Sequence, residues 1–302
     1  MPRRRSRLPA TIVLLGLAAL LAAGRPVQAA DCRYDQAASL PLRGAEGADI
    51  LAEANGQPVV LTLSTGLGLT SLVPATVQRL GLARDPNRRT GFADGSVEPN
   101  ALLRRLRIGG LDWSDRSLAV RADFTPDGYP VQSDGALAAN LLRETELELD
   151  LGHRRVALHP ARGCRPGPPP WTPAGSAVLQ LEEHGVPAIS GQVRGQVVRL
   201  LLNSGTNRSS MPRSLAERLG LNQPTGAQLR SHGMMAGPSR GREYLLPDLA
   251  VGGEVLRDFR IVVAEDGARP APAQIVLGRD WMARRPLWFS WANRRLYLAP
   301  GG

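Results

Sequence analysis

The chain has 302 residues, a formal net charge of +10, and 43% hydrophobic but only 4% aromatic residues. That length admits one large domain or two lobes of ordinary size, with a core built from Leu, Val, Ile and Ala rather than from rings. The 33 glycines and 25 prolines argue against a helical protein and for a turn-rich β architecture, and the 37 basic residues, all arginine and scattered in ones and twos such as Arg88-Arg89 and Arg104-Arg105, read as a solvated surface and not as a nucleic-acid-binding face.

The chain opens on Arg3, Arg4, Arg5 and Arg7, then an apolar stretch from Thr11 to Ala23, then Val27-Gln28-Ala29. A basic start, a short apolar run and a small-residue stop predict a secretory signal peptide over residues 1–29. Its cleavage leaves no stable membrane anchor; an uncleaved anchor is the alternative. With Arg25, five arginines precede Ala30, so cleavage halves the formal charge. The implied address is periplasmic or secreted. In an oxidising compartment the two cysteines, Cys32 and Cys164, predict one disulfide, with two unpaired thiols as the alternative.

Further along, Val59 to Leu63 reads as a short strand that runs into Ser64-Thr65-Gly66. Pro74 to Leu80 reads as a short helix, begun by proline and stopped by Gly81. Gly91-Phe92-Ala93-Asp94-Gly95 has the composition of a hairpin tip. Leu147 to Leu151 alternates apolar and acidic residues, the pattern of a half-buried strand. The proline-dense run from Arg165 to Pro173 cannot join a sheet ladder and predicts an extended linker over 165–175.

Beyond that linker the pattern starts again. Leu61-Thr62-Leu63-Ser64-Thr65-Gly66 returns as Leu200-Leu201-Leu202-Asn203-Ser204-Gly205, an offset of 139 from Ser64 to Asn203. Arg79-Leu80-Gly81-Leu82 returns as Arg218-Leu219-Gly220-Leu221, and Ile108-Gly109-Gly110 as Val251-Gly252-Gly253. Leu137-Ala138-Ala139-Asn140 aligns with Leu277-Gly278-Arg279-Asp280, and Arg154 to Pro160 with Arg294 to Pro300. Self-similarity at a fixed offset predicts two copies of one structural unit.

These residues resemble the retropepsin-like aspartic proteases, in the duplicated form found in exported bacterial proteins. The family pattern is a hydrophobic strand, Asp-Thr/Ser-Gly, a Ser-Leu stretch, a short helix ending in Leu-Gly-Leu, and a later hydrophobic-hydrophobic-Gly element. Ile275-Val276-Leu277-Gly278 matches that last element; Ala136-Leu137-Ala138 matches it less well, with Ala where Gly is expected. The resemblance implies a mainly β acid-protease fold with two retropepsin/pepsin-like barrel lobes, at 30–164 and 176–302. It also implies one active-site loop from each lobe: Thr65 and Gly66 from the first, Ser204 and Gly205 from the second, with Gly278 in support. In the family, the hydroxyl after each Asp bonds across the lobe interface.

In that family each loop supplies one catalytic Asp, and the pair shares a proton because two like charges so close cannot both ionise. Here the two positions hold Ser64 and Asn203. Neither side chain titrates near neutral pH, so neither can act as a carboxylate base. The histidines, His153, His159, His184 and His232, are remote in sequence from Ser64, and no Gly-x-Ser-x-Gly elbow is present. Their spacing suits no metal, and no cofactor motif is complete. Asp94 and Asp280 read as surface or turn carboxylates.

The resemblance also implies a Gly-containing flap in each lobe. Gly91 and Asp94 mark the first candidate, Gly233 and Met234 the second. A preserved groove would take a peptide or protein in an extended conformation by strand addition. The expectation is thus an exported, catalytically impaired aspartic-protease-like protein. An active aspartic endopeptidase and a purely structural β protein stand as alternatives.

Overall fold

Turn chemistry shows the duplication most directly. In this computed structural model, the six non-glycine residues with left-handed backbones fall into three pairs among the described residues. Asn55 and Arg194 sit in the hairpin turn that leads into the strand ending at each central loop, Asp115 and Asp258 in a later strand, and Arg154 and Arg294 in the last hairpin turn. A left-handed conformation disfavours most side chains, so its recurrence at equivalent sites reflects one backbone plan used twice. The structure describes residues 31–34, 38–44, 48–92, 95–121, 133–161, 164–172, 176–226, 228–233, 237–265 and 274–300. The expected signal peptide and the flap candidates Asp94 and Met234 lie outside these residues.

The first half comprises β1 (Ala38–Pro41), β2 (Asp49–Ala54), β3 (Gln57–Ser64), β4 (Ser71–Leu72), α1 (Pro74–Arg79), β5 (Arg84–Gly91), β6 (Val97–Ile108), β7 (Leu111–Val120), β8 (Gly135–Ala138), α2 (Ala139–Leu142), β9 (Thr145–Asp150) and β10 (Arg155–Pro160). The second comprises β11 (Ala177–Gln180), β12 (Glu182–His184), β13 (Val186–Val193), β14 (Gln196–Leu202), β15 (Ser210–Pro212), α3 (Arg213–Arg218), β16 (Gln228–Gly233), β17 (Gly237–Val251), β18 (Glu254–Ala264), β19 (Gln274–Leu277), α4 (Arg279–Met282), β20 (Leu287–Ser290) and β21 (Arg295–Leu298). Helix α1 starts on Pro74, as expected, but Pro212 stands just outside α3 as its extended N-terminal cap. Proline's missing N–H is tolerated at either position.

Each half closes a six-stranded barrel. In the first the order is β2-β3-β8-β4-β7-β6, closed by pairing of Glu53 and Ala54 with Arg107 and Leu106. In the second it is β13-β14-β19-β15-β18-β17, closed at Gln192 and Ala250. Alternate residues of β3, Val59, Leu61 and Leu63, point inward and are fully buried, which is how a period-two pattern fills a small barrel. The architecture is mainly β and consistent with a two-lobed acid protease fold.

A third sheet joins the lobes. Its order, β1-β10-β9-β20-β21-β11, takes three strands from each half, and the seam is the antiparallel pair β9–β20. Leu147, Leu149, Phe289 and Leu296 leave one face of this sheet for an apolar core continuous with both barrels.

The other face departs from the expected half-buried pattern. All six residues of β9 are buried, including Glu146, Glu148 and Asp150. They are covered because the N-terminal segment and the linker lie across them. Cys32 and Cys164 form the disulfide, and Cys32 N–H donates to Arg165 O at 3.1 Å. Tyr34 packs edge-on against His159 and Trp288, while its hydroxyl donates to Gly167 O and accepts from Gly167 N–H. Trp288 Nε1–H donates to Glu146 at 3.0 Å, which compensates part of the cost of burying that carboxylate. The linker is therefore a strap on the six-stranded sheet. No helix among the described residues is long and apolar enough to cross a membrane.

Candidate functional site

The two loops singled out in the sequence meet where the lobes join. Strand β3 ends on Ser64, and β14 ends on Leu202, so that Asn203 opens the equivalent turn. Each strand is held by a parallel neighbour: Ser64 is in register with Ala138 of β8, and Leu202 with Leu277 of β19. Asn203 N–H donates to Leu277 O at 3.0 Å. Ser64, Thr65 and Ser204 have no exposed surface, and Asn203 is 3% exposed.

At the centre, Ser64 Oγ donates to Asn203 Oδ1 over 3.2 Å, and Gly205 N–H donates to the same oxygen over 2.9 Å. The hydroxyls on either side make a reciprocal lock. Thr65 Oγ1 donates to Leu202 O at 2.8 Å and accepts from Ser204 N–H at 3.0 Å. Ser204 Oγ donates to Leu63 O at 2.9 Å and accepts from Thr65 N–H at 3.1 Å. These four bonds, with Ser64–Asn203 between them, cross the lobe interface around one pseudo-twofold axis. The loop glycines are required by contact across that axis. A Cβ on Gly66 would lie 2.5 Å from Asn203 Cβ, and one on Gly205 would lie 2.9 Å from Ser64 Cβ.

Behind each loop sits a second paired device that the sequence reading missed. Thr70 N–H and Oγ1–H both donate to Asn140 Oδ1, at 2.7 and 2.8 Å, and Ala138 N–H donates to Thr70 Oγ1. In the other lobe Ser209 N–H and Oγ–H donate to the Asp280 carboxylate, and Gly278 N–H donates to Ser209 Oγ. Asp280 is therefore not the surface or turn carboxylate expected. It is a half-buried acceptor that holds the loop after Asn203, and burial pushes its pKa up. The offset that pairs Ser64 with Asn203 also pairs Thr70 with Ser209, so the signal was present in the repeat. Gly278 passes 2.6 Å, measured from an added Cβ, from the Arg208 carbonyl carbon. Ala138, at the equivalent place, instead packs its methyl against Leu67 and Ala136.

One element is not duplicated. Arg279 is buried, and its Nη1 donates to Ser204 O at 2.9 Å. Asp49, buried in β2 of the opposite lobe, accepts from Thr62 Oγ1 at 2.7 Å. Burial raises the Asp49 pKa, opposed by the Thr62 hydrogen bond and by the charge of Arg279. The repeat places Ala188 and Ala139 at the positions equivalent to these two residues.

Among the described residues, Ser64, Asn203 and the four bonds of the lock involve neutral groups, and the charged side chain that reaches them is Arg279, on Ser204 O. His153, in the turn after β9, is held by Asp150, and His159, on β10, by Tyr34 O. Neither contacts Ser64. No group of three or more metal-ligating side chains occurs among the described residues. Of the segments named as flap candidates, Gly91 pairs with Val97 between β5 and β6, and Gly233 with Gly237 between β16 and β17.

No curated protein sequence matches the chain at a significant level. A family model does. Residues 189–281 match the family described as aspartyl protease, a span that contains Asn203-Ser204-Gly205, Ser209, Gly278 and Asp280. The second lobe is thus similar to aspartyl proteases in sequence, and the first repeats its barrel and its loop.

Proposed function

We propose that this chain is an exported aspartic-protease-like protein that has lost hydrolysis and keeps its two-loop site to hold a peptide in an extended conformation. Residues 1–29 would direct export, 30–164 and 176–302 would form the lobes, and 165–175 the linker between them. The observation that carries the reading is the Ser64–Asn203 hydrogen bond at the centre of an intact cross-lobe lock. A serine hydroxyl and a carboxamide can orient a water, but neither takes its proton near neutral pH. General-base catalysis is worth about 10²–10⁴-fold, and among the described residues the partners of the Ser64 hydroxyl and the Asn203 carboxamide are each other and Gly205 N–H. Thr65, Gly66, Ser204 and Gly205 still build a complete lock, so the two loops keep the positions from which a bound chain would be held. The disulfide between Cys32 and Cys164 suits an oxidising compartment, which supports export.

The test is to incubate the chain beginning at Ala30 with unfolded polypeptide at acidic and neutral pH, with and without a statine-type transition-state mimic. The reading expects no cleavage, and retention of the polypeptide in a pull-down that the mimic competes away. Cleavage blocked by the mimic would establish an active aspartic endopeptidase instead. Neither cleavage nor retention would mean a closed groove and a structural role.

A further inference from the structure

The repeat makes Ser64 and Asn203 equivalent, but their side chains do not reach equally far. Serine ends at its Oγ, whereas asparagine carries a carboxamide one carbon further out, with an acceptor at one end and two N–H donors at the other. Ser64, Thr65 and Ser204 have no exposed surface, and Asn203 is 3% exposed. Of these four side chains, Asn203 therefore holds all the surface that a ligand can touch. The Ser64 hydroxyl is covered by the opposite loop, since a Cβ on Gly205 would lie 2.4 Å from its Oγ.

The hydrogen bonds fix which end of the carboxamide faces inward. A backbone N–H can only donate, and that of Gly205 lies 2.9 Å from Asn203 Oδ1. The Ser64 hydroxyl donates to the same oxygen. Turning the carboxamide over would set its NH2 group against the Gly205 N–H, donor against donor, and lose that bond. Oδ1 is thus spent within the lock. Nδ2 has no acceptor among the described residues. Unlike Ser71 Oγ and Trp291 Nε1, which are sealed from solvent without a partner, it keeps an opening.

The centre therefore presents a donor outward, where an ionised carboxylate would present an acceptor. An extended chain offers a C=O and an N–H at each residue other than proline, and of these only the C=O can pair with Nδ2. The Arg279 guanidinium, tied to Ser204 O behind the loop, adds positive potential that also favours an oxygen. We infer that Asn203 Nδ2 is the contact by which the site grips a backbone carbonyl of the bound chain, an inference that rests on the extended-peptide reading above. Ser64 offers no base beside that carbonyl, so the chain is held and its peptide bond left whole.

The test uses the chain beginning at Ala30 at neutral pH, with fluorescently labelled ribonuclease A, reduced and alkylated with iodoacetamide, as the unfolded polypeptide. Fluorescence anisotropy gives the affinity. Side-chain amide spectra of the ¹⁵N-labelled chain report on Nδ2, and the resonance pair missing from Asn203→Asp identifies it. The expected result is that this pair shifts downfield and saturates over the same concentrations as the anisotropy. Asn203→Asp keeps the acceptor for Ser64 and Gly205 but turns an oxygen outward, so it should weaken binding at least about tenfold, the equivalent of one orphaned polar group. Ser190→Asp, which adds the same charge at an exposed position of β13, should change binding less than about twofold. Circular dichroism checks the folding of both variants, and should Asn203→Asp not fold, the resonance shift in the parent decides alone. Binding by the parent with an unmoved resonance pair, or equal weakening by the two variants, would overturn the carbonyl contact and leave the peptide-holding reading standing. No binding by the parent would overturn both.

Discussion

Replacing Thr65 by valine keeps the shape of the side chain and removes one hydroxyl from the cross-lobe lock. Two buried partners lose their bonds: the Leu202 carbonyl and the Ser204 N–H. Each orphaned group costs about 1–3 kcal/mol when water cannot reach it, and the site has no exposed surface at Thr65 or Ser204. Local relaxation favours the lower half of the combined range, so Thr65→Val should lower the unfolding free energy by about 2–4 kcal/mol. Ser204→Ala orphans a different pair, the Leu63 carbonyl and the Thr65 N–H. The pseudo-twofold axis predicts that the two substitutions cost the same within about 1 kcal/mol, the net worth of one hydrogen bond. Urea unfolding followed by tryptophan fluorescence measures both. Thr172→Val is the control, since it removes one half-buried hydroxyl bonded to Pro169 O and should cost under about 1.5 kcal/mol. If either lock variant costs no more than this control at an unchanged m-value, the lock does not hold the lobes as described.

Other consequences follow from the same geometry. Gly66→Ala and Gly205→Ala each drive a methyl into the opposite loop and should destabilise by more than about 3 kcal/mol, read as a fall in urea midpoint or loss of soluble protein. Breaking the disulfide with C32S/C164S, a separation of 132 residues, should cost about 4–5 kcal/mol on the chain-entropy account and release the strap to limited proteolysis near Gly167. Burial raises the pKa of Glu146, so its folded value lies above its unfolded one. The stability this contributes is fully present below about pH 4 and is lost as pH rises through the raised value. Glu146→Gln should flatten the decline of the urea midpoint between mildly acidic and neutral pH; an unchanged slope would refute it. Asp112 and Glu265, held low by Arg105 and Arg213, slope the other way, so the difference between variant and parent is the quantity to read.

The repeat made much of this molecule legible before any coordinates. An offset between two strand-loop-helix units identifies Ser64 with Asn203 because barrel geometry forces both loops into one register. What it did not reveal was contact between segments without a repeated motif. Glu146, Glu148 and Asp150 alternate with leucines, which reads as a strand with one wet face. The face is dry because Tyr34 and the strap cover it, and the interaction of Tyr34 with Gly167 spans 133 residues. Asp280 was misread for a related reason. Its role depends on Ser209, 71 residues away, and a turn carboxylate looks the same in sequence whether it faces water or a buried N–H. The linker's prolines did forbid ladder pairing, but nothing in their composition said that the segment would lie against a sheet. Asn203 and Ser64 themselves were found only through their surroundings, since neither residue type signals a site.

The central claim is that the site lacks only its carboxylates. Asn203→Asp is isosteric, and Ser64→Asp would put a second carboxylate about 3 Å away, close enough to share one proton with the first. The decisive measurement is cleavage of unfolded polypeptide across acidic and neutral pH by the parent chain and by S64D/N203D, with a statine-type mimic as the control. The account predicts no cleavage by the parent and mimic-sensitive cleavage by the double variant in the acidic range. Mimic-sensitive cleavage by the parent chain would contradict it.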